Sequence, residues 1–215
     1  MIYSKETARQ TALYLLQIKA IKLNNTTPFQ WASGWKAPIY CDNRKTLSYP
    51  AIRSYLRAQF IHIIRKEYAG ATVVAGVATG GIAMGALAAE GLELPFVYVR
   101  SAQKGHGMQN KVEGVLRDGD KAVVIEDLVS TGRSSLTAVR ALKESGVKVL
   151  GMISIFDYGF DTAVQNFLDE QCDLLSLADY DTLLTQAHNE GYITSRELDS
   201  LGYWRKAPEK WGVDQ

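Results

Sequence analysis

The sequence has few of the residues that mark disulfide-rich proteins, zinc proteins and nucleic-acid-binding proteins. Its 215 residues include only two cysteines, Cys41 and Cys172, and their wide separation excludes a disulfide framework and a CxxC metal site. Both are expected to be small buried side chains in a reducing compartment. Lys and Arg number 24 against 23 Asp and Glu, a net charge of +1. Because binding to a phosphate backbone requires an excess of positive charge, a dedicated nucleic-acid-binding protein is disfavoured.

Several catalytic motifs are also missing from the sequence. It contains no GxxxxGK[ST] phosphate-binding loop, no GxSxG nucleophile and no HExxH zinc site. His62 and His188 lie on helix-like segments without partners at metal-ligand spacing. We therefore expect both histidines to be structural or surface residues.

One uncharged stretch, residues 68–89, is long enough to cross a bilayer. It contains five glycines and divides into a β-branched run, a glycine turn and an alanine-rich segment of helical character. A strand, a turn and a helix are therefore expected there instead of a membrane span. The first residues, Met-Ile-Tyr-Ser-Lys-Glu, carry charges where a signal peptide would be apolar. A cytoplasmic protein without membrane contact is expected.

The middle of the chain alternates between strand-like and helix-like segments. Four short, continuous apolar runs predict strands that are buried on both faces, at residues 73–77, 95–99, 122–125 and 147–156. Helix-like stretches separate these runs. The alternation predicts an α/β fold, with a mostly parallel central sheet flanked by helices.

The segments on either side of this alternation have a more mixed character. Apolar spacing predicts helices at residues 4–22 and 50–68, the second opened by Pro50. Beyond the sheet region we expect helices near 161–170, 180–190 and 195–200, and a strand at 174–177. The whole chain, 1–215, is expected to be a single domain. Its core would span about 50–160, with a small hood formed by about 1–49 and 161–215.

The most informative segment follows the third apolar run. There the strand leads directly into two adjacent carboxylates, Glu126 and Asp127, then a loop of small residues and the start of a helix. In open α/β sheets ligands bind at the carboxyl ends of strands, and such a loop offers free N–H groups and a positive helix end to a phosphate. The carboxylates would repel that phosphate, and they suit hydroxyl groups or Mg²⁺ instead. Sites for a phosphate and a diol side by side would suit a ribose 5-phosphate. The alternative is a purely structural role, because many α/β folds have an Asp at a strand end before a capped helix.

This segment resembles the phosphoribosyl diphosphate (PRPP) signature of the type I phosphoribosyltransferase family. The resemblance implies the type I phosphoribosyltransferase fold, with Glu126 and Asp127 on the ribose hydroxyls. It also implies that the 5-phosphate is bound by Leu128, Val129, Ser130, Thr131, Gly132, Arg133 and Ser134. Residues 76–81, Gly-Val-Ala-Thr-Gly-Gly, resemble the pyrophosphate loop of this family, which implies that Thr79 and Gly80 bind PRPP.

A basic loop follows the second apolar run and carries Arg100, Lys104 and His106 between glycines. Flexible cationic loops of this kind can close over a diphosphate, exclude water and stabilise developing charge. Taken alone, the loop would be interpreted as a solvated surface feature. Its pattern resembles the mobile catalytic loop of the orotate phosphoribosyltransferases. The resemblance implies that Lys104, His106 and Arg100 are catalytic together with Asp127, and that Arg100 acts on the partner subunit of a homodimer.

Residues 29–44 resemble the orotate segment of the same family, which implies that orotate is bound by Ile39, Tyr40 and Arg44, together with Ser130. Three positions depart from patterns common in the family. Many members have a lysine where this chain has Ser101, and some have a lysine where it has Ala32. Some members also have an arginine that binds orotate where this chain has Tyr158. Arg44 is therefore our candidate for the orotate carboxylate, because a guanidinium suits bidentate binding.

The resemblance implies transfer of the 5-phosphoribosyl group from PRPP to N1 of orotate, giving orotidine 5′-phosphate and diphosphate in UMP biosynthesis. Mg²⁺ would be held mainly by PRPP oxygens and water, without a protein ligand set. Two alternatives stay open: a phosphoribosyltransferase for another base, and a non-enzymatic regulator that binds PRPP. Residues 29–44 favour orotate over other bases. The near-zero net charge and the intact Lys104/His106 loop count against the regulator.

Overall fold

A computed structural model describes residues 1–24, 27–31, 34, 36–100, 111–208 and 211. The strands are β1 (Ile21–Leu23), β2 (Phe29–Gln30), β3 (Lys36–Ala37), β4 (Ile39–Cys41), β5 (Val73–Val77), β6 (Phe96–Val99), β7 (Val112–Glu113), β8 (Lys121–Val129), β9 (Lys148–Asp157) and β10 (Leu174–Asp179). The α-helices are α1 (Lys5–Gln17), α2 (Pro50–Glu67), α3 (Gly80–Leu92), α4 (Arg133–Glu144), α5 (Asp161–Asp169), α6 (Tyr180–Asn189) and α7 (Ser195–Lys206). A 3-10 helix spans Asn43–Ser48.

The main sheet has six strands in the order β10-β9-β8-β5-β6-β7. All neighbours are parallel except β6 and β7, which form an antiparallel edge pair. Every residue of β5 is buried, as expected for a strand covered by helices on both faces. The predicted α/β fold with a mostly parallel central sheet is therefore confirmed.

Alternate residues of the central strands enter two separate hydrophobic cores, one on each face of the sheet. In β5, Val74 joins the larger core, which is built with α1, α2, α3, α6 and α7. Its neighbours Val73 and Ala75 join the smaller core, under α4 and α5. The sheet thus forms the middle of three layers, and the carboxyl ends of β5, β6 and β8 lie at one edge of it.

The first helix is shorter than its apolar spacing predicts, because α1 ends at Gln17 rather than near residue 22. Lys19 adopts a positive φ of 53° that ends the helical path. The next residues form β1, which pairs antiparallel with β4. The prediction was wrong here because strand pairing with a distant segment outweighs local helical periodicity.

The uncharged stretch at 68–89 forms β5, a turn and the first part of α3, which confirms the strand, turn and helix expected there. Within the described part of the chain, no helix combines the length and the apolar character needed to cross a membrane.

Candidate active site

A cavity of about 290 Å³ lies at the carboxyl ends of β5, β6 and β8. Its walls come from three sequence-distant segments that the sequence analysis singled out separately: the glycine turn, the start of the basic loop and the acidic strand end. The lining residues are Val77, Ala78, Val99, Arg100, Glu126, Asp127, Leu128, Ser130, Ser134, Thr137 and Ala138. The fold therefore brings together a carboxylate pair, a hydroxyl-rich helix start and a guanidinium.

The two adjacent carboxylates differ in their surroundings. Glu126 is only 5% exposed; its Oε2 accepts from Ser135 Oγ at 2.8 Å and its Oε1 from the Asp127 N–H at 2.9 Å. Burial, and then the neighbouring Asp127, raise the pKa of Glu126 well above its usual range. Asp127 is half-buried, and its carboxyl group lies against Gly80. Asp127 is therefore the more accessible acid of this pair at the cavity.

The predicted phosphate loop divides into a strand end and a helix start. Leu128 and Val129 still belong to β8, and the Val129 side chain is fully buried. Gly132 follows with a positive φ of 77°, which favours glycine, and α4 begins at Arg133. The first N–H groups of α4 have no helical partners and suit an anion.

The phosphate loop is held in place from the neighbouring helix α5. Asn166 Nδ2 donates to the carbonyl oxygen of Thr131 at 2.8 Å. A Cβ atom on Gly132 would come within 2.8 Å of the Phe167 ring. These contacts were not identified from the sequence, because Asn166 and Thr131 are 35 positions apart and no local pattern signals their contact.

Two glycines allow the turn after β5 to approach the acidic strand end. A Cβ atom on Gly80 would overlap the Asp127 carboxyl group, and one on Gly81 would overlap the Ile125 carbonyl oxygen. Only the absence of side chains lets the start of α3 lie this close to β8. Thr79, which precedes the helix, is exposed at the same turn.

Arg100 follows β6 and lines the cavity of its own chain. Its backbone N–H donates to the Lys111 carbonyl oxygen at 2.8 Å, and its Nη1 pairs with Glu113 Oε1 at 3.2 Å. The guanidinium is therefore held beside the carboxylate pair. Lys104, His106 and Ser101 lie outside the described residues.

The candidate base segment, which continues from β4 into the 3-10 helix, reaches the same strand end. Asn43 Nδ2 donates to the Asp127 carbonyl oxygen at 2.6 Å. Tyr40 is 41% exposed, whereas the Ile39 side chain is buried in the core. Arg44 is mostly exposed, and its Nε lies 2.7 Å from Asp42 Oδ1. Of the residues predicted to bind the base here, Tyr40 and Arg44 are therefore the ones that ligands can reach.

Tyr158, which follows β9, is buried in an aromatic cluster with Trp31, Phe160 and Trp204. Burial raises the pKa of the Tyr158 hydroxyl well above its usual range. A neutral buried tyrosine cannot balance the charge of a carboxylate ligand. The exposed guanidinium of Arg44 is better suited to that task.

No group of three or more His, Cys, Asp and Glu side chains that could hold a metal ion occurs in the described ranges. The oxygen ligands that line the cavity are the carboxyl groups of Glu126 and Asp127 and the hydroxyls of the loop and of the start of α4. Such hard oxygens suit Mg²⁺ held largely by other ligands and water.

Residues 52–182 match the family model of the phosphoribosyl transferase domain. The chain belongs to the phosphoribosyltransferase family. This phosphoribosyltransferase is 51% identical over 209 residues to orotate phosphoribosyltransferase from Porphyromonas gingivalis, a match that covers 97% of this chain and 100% of that one.

Solved structures of similar fold include proteins of the same family at lower sequence identity. Orotate phosphoribosyltransferase from Aeropyrum pernix superposes with a TM-score of 0.74 at 29% identity, covering 85% of this chain and 99% of that one. The Leishmania donovani UMP synthase superposes with a TM-score of 0.75 at 25% identity. The match covers 93% of this phosphoribosyltransferase but spans only 43% of that longer protein.

Replacing Gly80 tests the close approach of α3 to β8. In Gly80→Ala the new methyl group must displace the Asp127 carboxyl group, and we expect about a 100-fold loss of activity from misplaced site groups. Gly202→Ala is the matched control, because Gly202 is also helical and has open space around it. The close approach is unimportant if steady-state assays show Gly80→Ala as active as Gly202→Ala.

Replacing Glu126 tests the cost of burying a carboxyl group. The pKa of Glu126 is raised in the folded protein, so protonation of this group favours folding. Its contribution to the free energy of unfolding is present at low pH and is lost as the pH rises through the folded-state pKa. Glu126→Gln should therefore raise the melting temperature at pH 8, by about 2–4 °C for each kcal/mol recovered, and the gain should shrink as the pH falls.

Glu144→Gln, at the exposed end of α4, removes the same charge and serves as the control. If Glu126→Gln melts at or below the wild-type temperature at pH 8, burial of the ionised Glu126 carboxyl group does not lower the stability of the protein.

Proposed function

We propose that this protein transfers the 5-phosphoribosyl group from PRPP to N1 of orotate, forming orotidine 5′-phosphate and diphosphate for UMP biosynthesis. The observation that carries the proposal is the contact of Asn43 with the Asp127 carbonyl oxygen, because it joins the candidate base segment to the acidic strand end. Full-length similarity to a relative named orotate phosphoribosyltransferase supports the choice of base.

The cavity offers a complementary group for each part of PRPP. The loop at Ser130–Ser134 and the start of α4 would bind the 5-phosphate through N–H and hydroxyl groups. Asp127 would accept hydrogen bonds from the ribose hydroxyls. Glu126 holds the Asp127 backbone by accepting a hydrogen bond from its N–H. Thr79 and Gly80, at the turn before α3, would contact the diphosphate.

The reaction forms a bond between N1 of orotate and the anomeric carbon of PRPP as the bond from that carbon to the diphosphate oxygen breaks, and N1 gives up its proton. Negative charge builds on the leaving diphosphate. Arg100, together with Lys104 and His106, would stabilise that charge. His106 would also supply a proton to the diphosphate, because imidazole titrates near neutral pH.

Mg²⁺ fits this donor set, with PRPP oxygens and water as its main ligands and Asp127 nearby. When bound, it would neutralise diphosphate charge. We further infer a cytoplasmic homodimer in which the basic loop of one subunit, with Lys104 and His106, completes the site of the other. Arg100, which the resemblance implied would act on the partner subunit, lines the cavity of its own chain, and we assign it to that cavity.

Two other functions would use the same cavity. A phosphoribosyltransferase for uracil, adenine or hypoxanthine would keep the PRPP groups and differ in the base segment. A PRPP-binding regulator would bind PRPP without turnover. Arg44, exposed on the segment joined to Asp127, favours a base that carries a carboxylate.

The proposal is tested by following orotate absorbance with PRPP and Mg²⁺, beside parallel assays of uracil, adenine and hypoxanthine. We expect PRPP-dependent loss of orotate alone, and loss of most of that rate in Lys104→Ala because the diphosphate loses a cation. Turnover of another base would overturn the choice of orotate. PRPP binding without any turnover would favour the regulator.

The role of Arg44 has a separate test. Arg44→Ala should raise KM for orotate by about tenfold, because a charge-assisted hydrogen bond to the carboxylate is lost, and leave KM for PRPP nearly unchanged. Arg196→Ala removes an exposed arginine from α7 and should change neither constant. An unchanged KM for orotate in Arg44→Ala would exclude Arg44 as the carboxylate ligand.

A further inference from the structure

Asn43 connects two parts of the site that are 84 residues apart in the chain. It lies within the candidate base segment, where it opens the 3-10 helix, and its Nδ2 donates to the Asp127 carbonyl oxygen at 2.6 Å. The side chain of Asp127 lies at the cavity. One amide therefore links the backbone that carries the ribose-binding acid to the segment that would hold the base.

The orientation of this amide is determined by its partners. Asn43 is 1% exposed, and its Oδ1 accepts from Cys41 Sγ at 3.2 Å. Burial raises the pKa of the Cys41 thiol well above its usual range, so the thiol keeps its proton and remains the donor. The backbone of Asn43 is held as well, because Thr46 Oγ1 donates to its carbonyl oxygen at 2.6 Å.

We propose that Asn43 is a positioning residue that sets the distance between the base segment and Asp127, and thereby aligns N1 of orotate with the anomeric carbon. The proposal rests on the proposed function. We assign Asn43 no contact with either substrate, because its side chain is buried and its amide binds Cys41 and Asp127. It acts through the two segments that it joins.

Loss of the Asn43 contact should affect the alignment of the reacting atoms more than the binding of PRPP. Apart from the basic loop after β6, the PRPP groups lie on β8, α4 and the turn before α3. Because β8 is paired with β5 and β9 on its two sides, we expect these groups to keep their mutual positions when the Asn43 contact is lost. The base segment alone would shift relative to them. Because small errors in the alignment of reacting atoms slow the chemical step, loss of the Asn43 contact should lower kcat and leave PRPP affinity nearly unchanged.

Asn43→Asp replaces the amide that donates to the Asp127 carbonyl oxygen with a carboxyl group of nearly the same size and shape. An ionised carboxylate has no proton for the Asp127 carbonyl oxygen, so kcat should fall by about 10- to 100-fold at pH 8. Burial beside Asp127 raises the pKa of such a carboxyl group. As the pH falls towards 6, the protonated form can donate again, and the deficit relative to wild type should shrink several-fold.

Several charged and titratable groups surround this position. Lys45 follows on the 3-10 helix and donates to the Lys19 carbonyl oxygen, and Tyr158, whose raised pKa keeps it neutral, lies near Cys41. Cys41 and Asp127 face the amide directly, while Asp42 and Arg44 flank it and pair with each other. From α2, Arg53 donates to the Leu47 carbonyl oxygen. The first turn of α3, residues 80–83, is uncharged. Recovery at low pH in the variant would thus report on the new carboxyl group.

Three control variants accompany the experiment. Asn43→Ala has no group that can titrate, so its deficit should be the same at both pH values. Asn189→Asp adds the same charge at an exposed position and should be as active as wild type. Asn166→Asp, which loses the contact with Thr131 in the phosphate loop, should instead weaken PRPP binding.

All rates are expressed per PRPP-binding site counted by calorimetry, so that a poorly folded variant is not mistaken for a misaligned one. A pH-dependent deficit in Asn43→Asp, absent in Asn43→Ala, supports the proposal. Equal kcat per site in Asn43→Ala and wild type, or a deficit in Asn43→Asp that stays constant with pH, overturns it.

The wild-type assay distinguishes this proposal from the proposed function. If wild type turns over orotate, the Asn43 variants alone decide the positioning role. If wild type turns over another base instead, the choice of orotate fails, and the same comparison of variants with that base decides the role of Asn43.

Discussion

The site depends on one close backbone approach, between the start of α3 and the end of β8. Gly80 and Gly81 lie against the Asp127 carboxyl group and the Ile125 carbonyl oxygen, where no side chain fits. This approach determines where the turn after β5 stands relative to the acidic strand end. The cavity exists because two loops that follow adjacent parallel strands can meet at this separation.

Around that approach, the protein positions its functional groups with buried polar contacts. Glu126 is buried at an energetic cost, which the hydrogen bonds from Ser135 and the Asp127 N–H reduce. Asn166 holds the phosphate loop from α5, and Asn43 reaches the same strand from the other side. These side chains contribute to the site by fixing the backbone that presents the ligand-binding groups.

Helix α7 packs against the candidate base segment. Trp204 of α7 is fully buried against Trp31 and Tyr158. Trp31 Nε1 in turn donates to the Ile39 carbonyl oxygen at 3.0 Å, next to Tyr40. The C-terminal helix therefore supports the segment that would hold the base. Large aromatic side chains suit this role because they bury much area with few rotatable bonds.

The sequence by itself determined the α/β alternation, the carboxylate pair and the glycine turn, because continuous apolar runs and glycine positions act locally. It also determined the family resemblance that the comparisons bear out. Only the tertiary structure decided where α1 ends, that Glu126 is buried while Asp127 faces the cavity, and that Asn43 joins two distant segments. These outcomes depend on strand pairing and on burial between residues far apart in the chain, for which no local pattern exists.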